Sequence, residues 1–349
     1  MRIEAEILRH VTLQILLAAG VDNAQAAAVS ENLTWCDMIG RRNHGVERLP
    51  ILLKHVAAGT INCPPDPNYQ SISETMQRID ADQSFGHFAG RLATDTACDL
   101  AEQHGVGIVG VTNSNFFGAG AYYADRAAQR NMISLVLSNS FPKVAAPGGL
   151  KAVLGTNPFT FGAPRRSGHS LLVDMSTAAV AGSTVREKIA KGEQFETGVA
   201  IDDTGHAITN PADVMGGTLL PAAGAKGFGL ALLVEIFSAV LTGAAVSHEV
   251  GSMYKDFERS GENGHFVLAI DVARWMPLEA FFERIDFLAS IVSDSGPEGV
   301  VRLPGAARWK NYDESLDKGI EIEAHALASL EALAQTYAVK MPWSNANLK

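Results

Sequence analysis

Along the first 75 residues the apolar positions fall at helical spacing. Leu8, Val11, Ile15 and Leu16 recur three and four residues apart and mark one face of a helix. Asp22 precedes an Ala-rich run, where its carboxylate can cap a second helix. In "GVERLPILLKHVAAGT", Pro50 falls near a helix start, where its missing N–H costs nothing. The pattern predicts a helical support layer. The Pro-rich stretch "NCPPDPNYQ" then marks a boundary. From Met76 onward, short strands alternate with helices. Strands are expected near 77–81, 106–112, 132–138, 158–163, 170–174 and 265–271, and helices near 87–103, 118–129, 181–191 and 226–242. The tail adds helices at 275–293 and near 323–338. Such alternation predicts α/β or α+β layering around a sheet.

Composition narrows the class. At 349 residues, 47% hydrophobic and 19% charged, the chain can bury an ordinary core in one large domain or two. A net charge of −10 with no Lys/Arg block excludes a nucleic-acid footprint. Cys36, Cys63 and Cys98 have no C-x-x-C spacing, which fits neither a disulfide framework nor a structural zinc site. The N-terminus carries Glu4 and Glu6 and does not read as a signal peptide. The apolar run 228–241 contains Glu235 and is too short to cross a bilayer. A soluble cytoplasmic protein with no membrane partner is expected.

One motif invites a nucleotide reading. Residues 105–110, "GVGIVG", spell G-x-G-x-x-G. A dinucleotide fingerprint needs those glycines after a strand and ahead of a helix, so that the helix N-terminus meets the diphosphate. Here the helix "ATDTACDLAEQH" comes first, and no acidic residue closes a second strand about 20 residues on. Gly105 instead reads as a helix stop feeding a buried strand.

Four stretches hold polar residues in apolar or Gly-rich surroundings. In "RRNHGVERLP", His44 and Arg48 lie four apart and share a face if the segment is helical. The pair suits a carboxylate: Arg grips it bidentately and His moves a proton. In "GLKAVLGTNPFTFGAP", Gly155 to Pro158 form a turn where Thr156 and Asn157 can meet a phosphate or amide. In "LLVDMSTAAVAGSTVREKIAKGE", a strand ends at Asp174, Ser176 and Thr177 before a helix, a junction that presents N–H groups and hydroxyls to anions. Arg186 and Lys188 follow, as phosphate partners or as helix surface. Lys226 sits among glycines ahead of a strongly apolar helix, as a phosphate ligand or a solvated helix-entry residue. His104, His206 and His265 read as structural or surface residues, and no metal-ligand spacing is present.

In this order, with "NSNFFGAGAYY", "MYKD" and "RLPGAARW", these stretches resemble the malate/L-lactate dehydrogenase family of non-Rossmann NAD(P)-dependent oxidoreductases over nearly the whole chain. Relatives in that family include ureidoglycolate and sulfolactate dehydrogenases, diketogulonate reductase and piperideine-2-carboxylate reductase. The resemblance implies a nicotinamide cofactor, NAD or NADP, bound on an unusual α/β fold. It also implies a helical domain from both chain ends, 1–75 plus 305–349, around an α/β cofactor- and substrate-binding domain at 76–304. It implies homodimers and hydride transfer to or from a small 2-oxo or 2-hydroxy carboxylate, or a cyclic imine. Carried over, His44 and Arg48 are catalytic. Thr156, Asn157, Asp174, Ser176, Thr177, Arg186, Lys226 and Gly227 contact the cofactor or active site.

Three positions depart from the family pattern. Asn43 stands where Ser is usual, Leu52 where many members have Tyr, and Phe116 where most have the His taken as acid/base. Phenylalanine neither donates nor accepts a proton. Either His44 or another group takes over that transfer, or the substrate needs less acid help, as a protonated imine does. Asn43, Leu52, Phe116 and Lys143 make up the expected substrate pocket, with Lys143 either in a charge or proton role or a solvent-exposed loop residue. The function read here is therefore an NAD(P)-dependent dehydrogenase or reductase. The alternatives are a cyclic ketimine reductase and a catalytically degenerate nicotinamide-nucleotide-binding protein.

Overall fold

The computed structural model describes residues 1–297 and 299–345. The N-terminal pattern folds as helices Ala5–Ala18, Asn23–Met38 and Leu49–Ala57. Leu8, Val11, Ile15 and Leu16 are all buried in one core. The Asp22 side chain accepts from the backbone N–H groups of Ala24 and Gln25, capping the second helix. Pro50 lies in the first turn of the third. The same core takes in Ile320, Ile322, Leu330 and Met341 from the other chain end. Arg2–Ile3 pairs antiparallel with Ile320–Glu321, tying the two ends together.

The rest is built on a seven-stranded sheet. Its spatial order is Asn68–Ser73, Met76–Asp80, Val106–Ser114, Asn263–Asp271, Met132–Ser138, Phe159–Ala163 and Leu171–Met175. Every neighbouring pair is antiparallel except Met76–Asp80 with Val106–Ser114. Helices Gly86–His104 and Gly120–Ala128 cover one face. Their small residues Ala89, Ala93, Ala97 and Ala121 admit Val109, Val136 and Val267 of the strands. Helix Ala225–Glu235 and the π-helical turn Ile236–Val240 cover part of the other face, through Val234 and Phe237 on Leu137 and Phe266. A five-stranded sheet of two- and three-residue strands forms a lobe beside them. Among the described residues no helix is long and apolar enough to cross a membrane.

The helix-stop reading of the glycine motif holds. Helix Gly86–His104 ends at Gly105, which is left-handed (φ +90°), and its N–H donates to Ala101 O at 2.7 Å. Gly107 and Gly110 then lie inside strand Val106–Ser114 and open no helix. Three expectations are corrected. Strand Asn68–Ser73, grouped above with residues 1–75, belongs to the large sheet. Helix Ala306–Lys318 was not expected, and it packs through Trp309 against the sheet's core as well as against the helical layer. The expected helix 275–293 is broken into Val272–Trp275 and Leu278–Ser293, because Pro277 cannot continue the first turn.

Candidate active site

The loop after helix Asn23–Met38 is held by its own last turn. Asp37 is buried there, and its Oδ2 accepts from the Val46 N–H at 2.8 Å. Burial pushes this carboxyl up to about 8, against the pull of that hydrogen bond and of Arg42. Gly45 lies flat on the carboxylate, and a Cβ there would overlap it. Arg42 is anchored outward on Glu321 and Glu323, at 3.2 and 2.5 Å. Between these anchors the chain makes two 3-10 turns, Arg42–His44 and Val46–Arg48. His44 and Arg48 therefore do not share an α-helical face. They still line one cavity.

Arg48 donates through Nε to the Asn43 carbonyl at 2.5 Å, and its guanidinium lies 5.5 Å from the centre of the Tyr254 ring. The His44 Nδ1 is enclosed, with no hydrogen-bond partner among the described residues. Burial, with Arg41 and Arg48 close by, holds the His44 pKa well below the ordinary histidine value. The imidazole is thus neutral at neutral pH.

Phe116 forms the facing wall, in the loop after strand Val106–Ser114. Asn115 fixes that loop. It donates to Gln83 O and Ser84 O at 3.0 Å and accepts from the Gly261 N–H at 2.8 Å. The Phe116 ring centre is 5.8 Å from that of His44 and 5.6 Å from that of the buried His87.

Two adjoining hollows share His44, Phe116, Ser140, Thr156 and Met253. The inner one is bordered by Arg41, Asp174 and Ser176. There the Asp174 carboxylate accepts from Thr160 at 3.0 Å and sits 3.3 Å from Arg41 and 3.7 Å from Arg308. Arg308 also donates to the Asp174 carbonyl at 2.8 Å, while its Nη1 is buried with no partner among the described residues. Two guanidinium groups around one carboxylate leave a net positive corner beside the Ser176 hydroxyl. The outer hollow is bordered by Arg48, Lys143 and Arg186. The Lys143 ammonium donates to Met215 O at 3.3 Å, and burial together with Lys255 lowers its pKa.

Of the expected residues, Asn43, His44, Arg48, Phe116, Lys143, Thr156, Asp174, Ser176 and Arg186 converge. Leu52 is buried beside them, on a small separate hollow behind Phe116. Asn157 and Thr177 are not lining residues. The Asn157 side chain accepts from Ser140 N and donates to Ala231 O and Glu235, and Thr177 donates to the carbonyls of Thr156 and Asn157. Both groups are spent holding the turn. Lys226 is exposed and Gly227 is buried in the first turn of their helix, and neither reaches the cavity. Lys188 is paired with Glu193 at 3.1 Å, outside the cavity. Arg41, Ser140, Met253, Tyr254 and Arg308 were not singled out from sequence. His265 is structural as expected: it bridges Ser138 and Ser114 at 2.9 and 2.8 Å.

The chain is 30% identical to malate/(S)-sulfolactate dehydrogenase of Methanothermus fervidus, over 98% of this chain and 100% of the relative. It is 30% identical to ureidoglycolate dehydrogenase (NAD(+)) of Escherichia coli O157:H7, over 99% and 100%. Its fold matches the solved structure of Δ1-piperideine-2-carboxylate reductase from Pseudomonas syringae pv. tomato with a TM-score of 0.87 at 28% identity, covering 96% and 100% of the two chains. The malate/L-lactate dehydrogenase family model matches residues 3–331, and the chain belongs to that family.

Proposed function

We propose that this protein is an NAD(P)-dependent oxidoreductase that interconverts a small 2-oxo carboxylate and its 2-hydroxy form. The observation that carries the proposal is the clamped loop at residues 42–48. It delivers to one cavity a neutral imidazole whose Nδ1 has no partner, and a guanidinium with no carboxylate partner, among the described residues.

The inner hollow suits a nicotinamide dinucleotide. The net positive corner of Arg41, Asp174 and Arg308 can take a diphosphate, and the hydroxyls of Thr156 and Ser176 can take polar groups. Hydride donation or acceptance is the chemistry that a bound nicotinamide supplies. Arg48 holds the substrate carboxylate by its Nη edge, since its Nε is engaged by Asn43. His44 removes the hydroxyl proton in oxidation and returns it in reduction, since Phe116 has no proton to exchange. Met253 and Tyr254 add apolar surface to the cavity wall.

The reading includes a cytoplasmic homodimer of two-domain subunits, the helical domain comprising both chain ends. Exposed apolar residues on two helices, Leu232, Ile236 and Leu241 with Phe287, Leu288 and Ile291, support self-association. A second reading, reduction of a cyclic imine carboxylate, is favoured by the apolar wall of Phe116 and the buried Leu52 behind it. A protonated imine already carries the charge that draws hydride, so it needs no acid at that wall.

A reductase screen of 2-oxo acids and cyclic imines with NADH and NADPH tests both readings. His44→Ala and Arg48→Ala should each reduce turnover by roughly 10²-fold or more. Wild-type rates in both variants would overturn the assignment. Activity on imines alone would decide for the second reading.

A further inference from the structure

We propose that His55 is a positioning residue: it docks the strap of residues 251–261 on the helix that follows Arg48, and so holds Tyr254 against the Arg48 guanidinium. The consequence for catalysis rests on the reading of Arg48 as the carboxylate clamp, and the docking itself does not. Arg48, Leu52 and His55 recur at i, i+4 and i+7 from the residue ahead of helix Leu49–Ala57, so they share one face. The strap lies along that face. Its neck is closed by the Gly251 N–H, which donates to Gly261 O at 2.9 Å. Its tip is a turn closed on itself. The Ser252 N–H donates to the Asp256 carboxylate at 2.8 Å, and the Asp256 N–H donates back to Ser252 O at 2.9 Å. That turn carries Met253 and Tyr254 into the wall of the outer hollow.

The strap meets the helix face at both ends. At one end the Tyr254 ring lies 5.5 Å from the Arg48 guanidinium. At the other, His55 is buried and both its ring nitrogens are used. Nδ1 is 2.7 Å from the Thr60 hydroxyl and Nε2 is 3.0 Å from Met253 O. A carbonyl only accepts, so Nε2 carries the hydrogen and donates. Among the described residues this is the one hydrogen bond between the turn and the helix. Phe257 of the strap lies against the same imidazole, with ring centres 4.8 Å apart. Tyr254 is 46% exposed, so its own burial does not fix its ring. The Met253 carbonyl, one residue before it and pinned by His55, does. With Nε on Asn43 O and one face on Tyr254, the Arg48 guanidinium keeps its Nη edge for a ligand. Without the pin, Arg48 loses one of two restraints. A carboxylate must then order the guanidinium as it binds, which weakens affinity and leaves the proton on His44 unaffected.

The test uses two readouts on the full chain. His55→Phe keeps a ring against Phe257 and removes the hydrogen bond, and His55→Gln restores a donor near the Nε2 position. Trypsin nicking after Lys255, an exposed residue of the turn, reads release of the strap without any substrate. Nicking after Lys310, in helix Ala306–Lys318, reads general unfolding. In His55→Phe we expect nicking at Lys255 to rise roughly threefold to tenfold, the range for one neutral hydrogen bond, with nicking at Lys310 unchanged. The KM for oxaloacetate or pyruvate should rise by a similar factor, with kcat and the cofactor KM nearly unchanged. His55→Gln should recover most of both effects. Because His55 acts through Tyr254, the double variant His55→Phe/Tyr254→Leu should have the KM of Tyr254→Leu alone. Wild-type nicking at Lys255 in His55→Phe, or an equal rise at Lys310, overturns the docking. Faster nicking with an unchanged KM, or additive effects in the double variant, overturns the link to Arg48. If neither acid is reduced with NADH or NADPH, the oxo-acid reading and the link to Arg48 fail together, and the nicking rates still decide the docking.

Discussion

His44 and Phe116 face each other across the cavity, with ring centres 5.8 Å apart and planes inclined by 38°. Among the described residues His44 is the one imidazole lining either hollow, and the proposed function therefore assigns proton transfer to it. Its depressed pKa keeps it neutral through the usual histidine range. Hydroxy-acid oxidation needs the neutral base. Its rate should therefore stay flat through the region near 6.5, where an unperturbed histidine would give an acid limb.

Phe116→His places a second imidazole on the opposite wall. In the double variant His44→Ala/Phe116→His, turnover should recover at least about tenfold over His44→Ala alone. Turnover no better than that of His44→Ala would mean that position 116 is out of reach of the reacting oxygen.

Gly45 is required by contact and not by dihedral freedom. Its φ is −87°, which any residue adopts, but a Cβ there would overlap the Asp37 carboxylate. Gly45→Ala should push residues 43–48 off the clamp. The expected result is a loss of most activity, with far-UV circular dichroism unchanged. Asp37→Ala leaves the Val46 N–H buried without an acceptor and should cost about 1–3 kcal/mol in urea unfolding. Asp37→Asn retains an oxygen acceptor and should cost less.

These contacts bear on what a sequence reader can see. The helical layer was legible because Leu8, Val11, Ile15 and Leu16 share one buried face. Gly105 was legible because a helix ending in a left-handed residue leaves a local mark. Strand Asn68–Ser73 was not, since every residue of it is exposed and no alternation marks it. Helix Ala306–Lys318 was hidden by its polarity, for only Trp309 in it is buried. In the site, His44 and Arg48 could be read together because one short loop carries both. Arg41, Asp174 and Arg308 come from three distant segments, and only the fold brings them into contact. Asn157 misled for a physical reason: a polar side chain in a turn serves its own backbone as readily as a ligand.

Two buried imidazoles make the fold sensitive to acid. Burial lowers the pKa values of His87 and His265 to about 3, from an ordinary histidine value near 6.5. Below about 6.5 the unfolded chain binds protons at His87 and His265 that the folded chain does not, and His44, whose pKa is also depressed, acts in the same sense. Stability is therefore full above about 6.5 and falls as pH drops toward 3. Each group contributes a slope of about 1.4 kcal/mol per pH unit. Asp37 acts in the opposite sense, since its raised pKa favours the folded state at lower pH. Urea unfolding between pH 6 and pH 4.5 should show the net acid loss, and His265→Gln should reduce the slope by about one proton. An unchanged slope in that variant would place the acid sensitivity elsewhere.

Arg308 is the sharpest probe of the inner hollow. Its Nη2 donates to the Asp174 carbonyl at 2.8 Å, and the guanidinium approaches the Asp174 carboxylate at 3.7 Å. Its Nη1 is buried and has no hydrogen-bond partner among the described residues, so the guanidinium acts on the hollow through the charge it adds beside Asp174. Arg308→Met keeps most of the side chain's bulk but removes the charge, leaving Arg41 to balance Asp174 alone. The corner then changes from net positive to neutral. The cofactor KM should rise roughly tenfold to a hundredfold, the range for one charged hydrogen bond. The kcat at saturating cofactor should change far less, because the proton-moving His44 is untouched. Titrating the protein with NADH and NADPH by fluorescence checks this directly. Equal weakening toward both would place Arg308 on a group the two cofactors share, and wild-type affinity for both would remove the inner hollow from the cofactor's site.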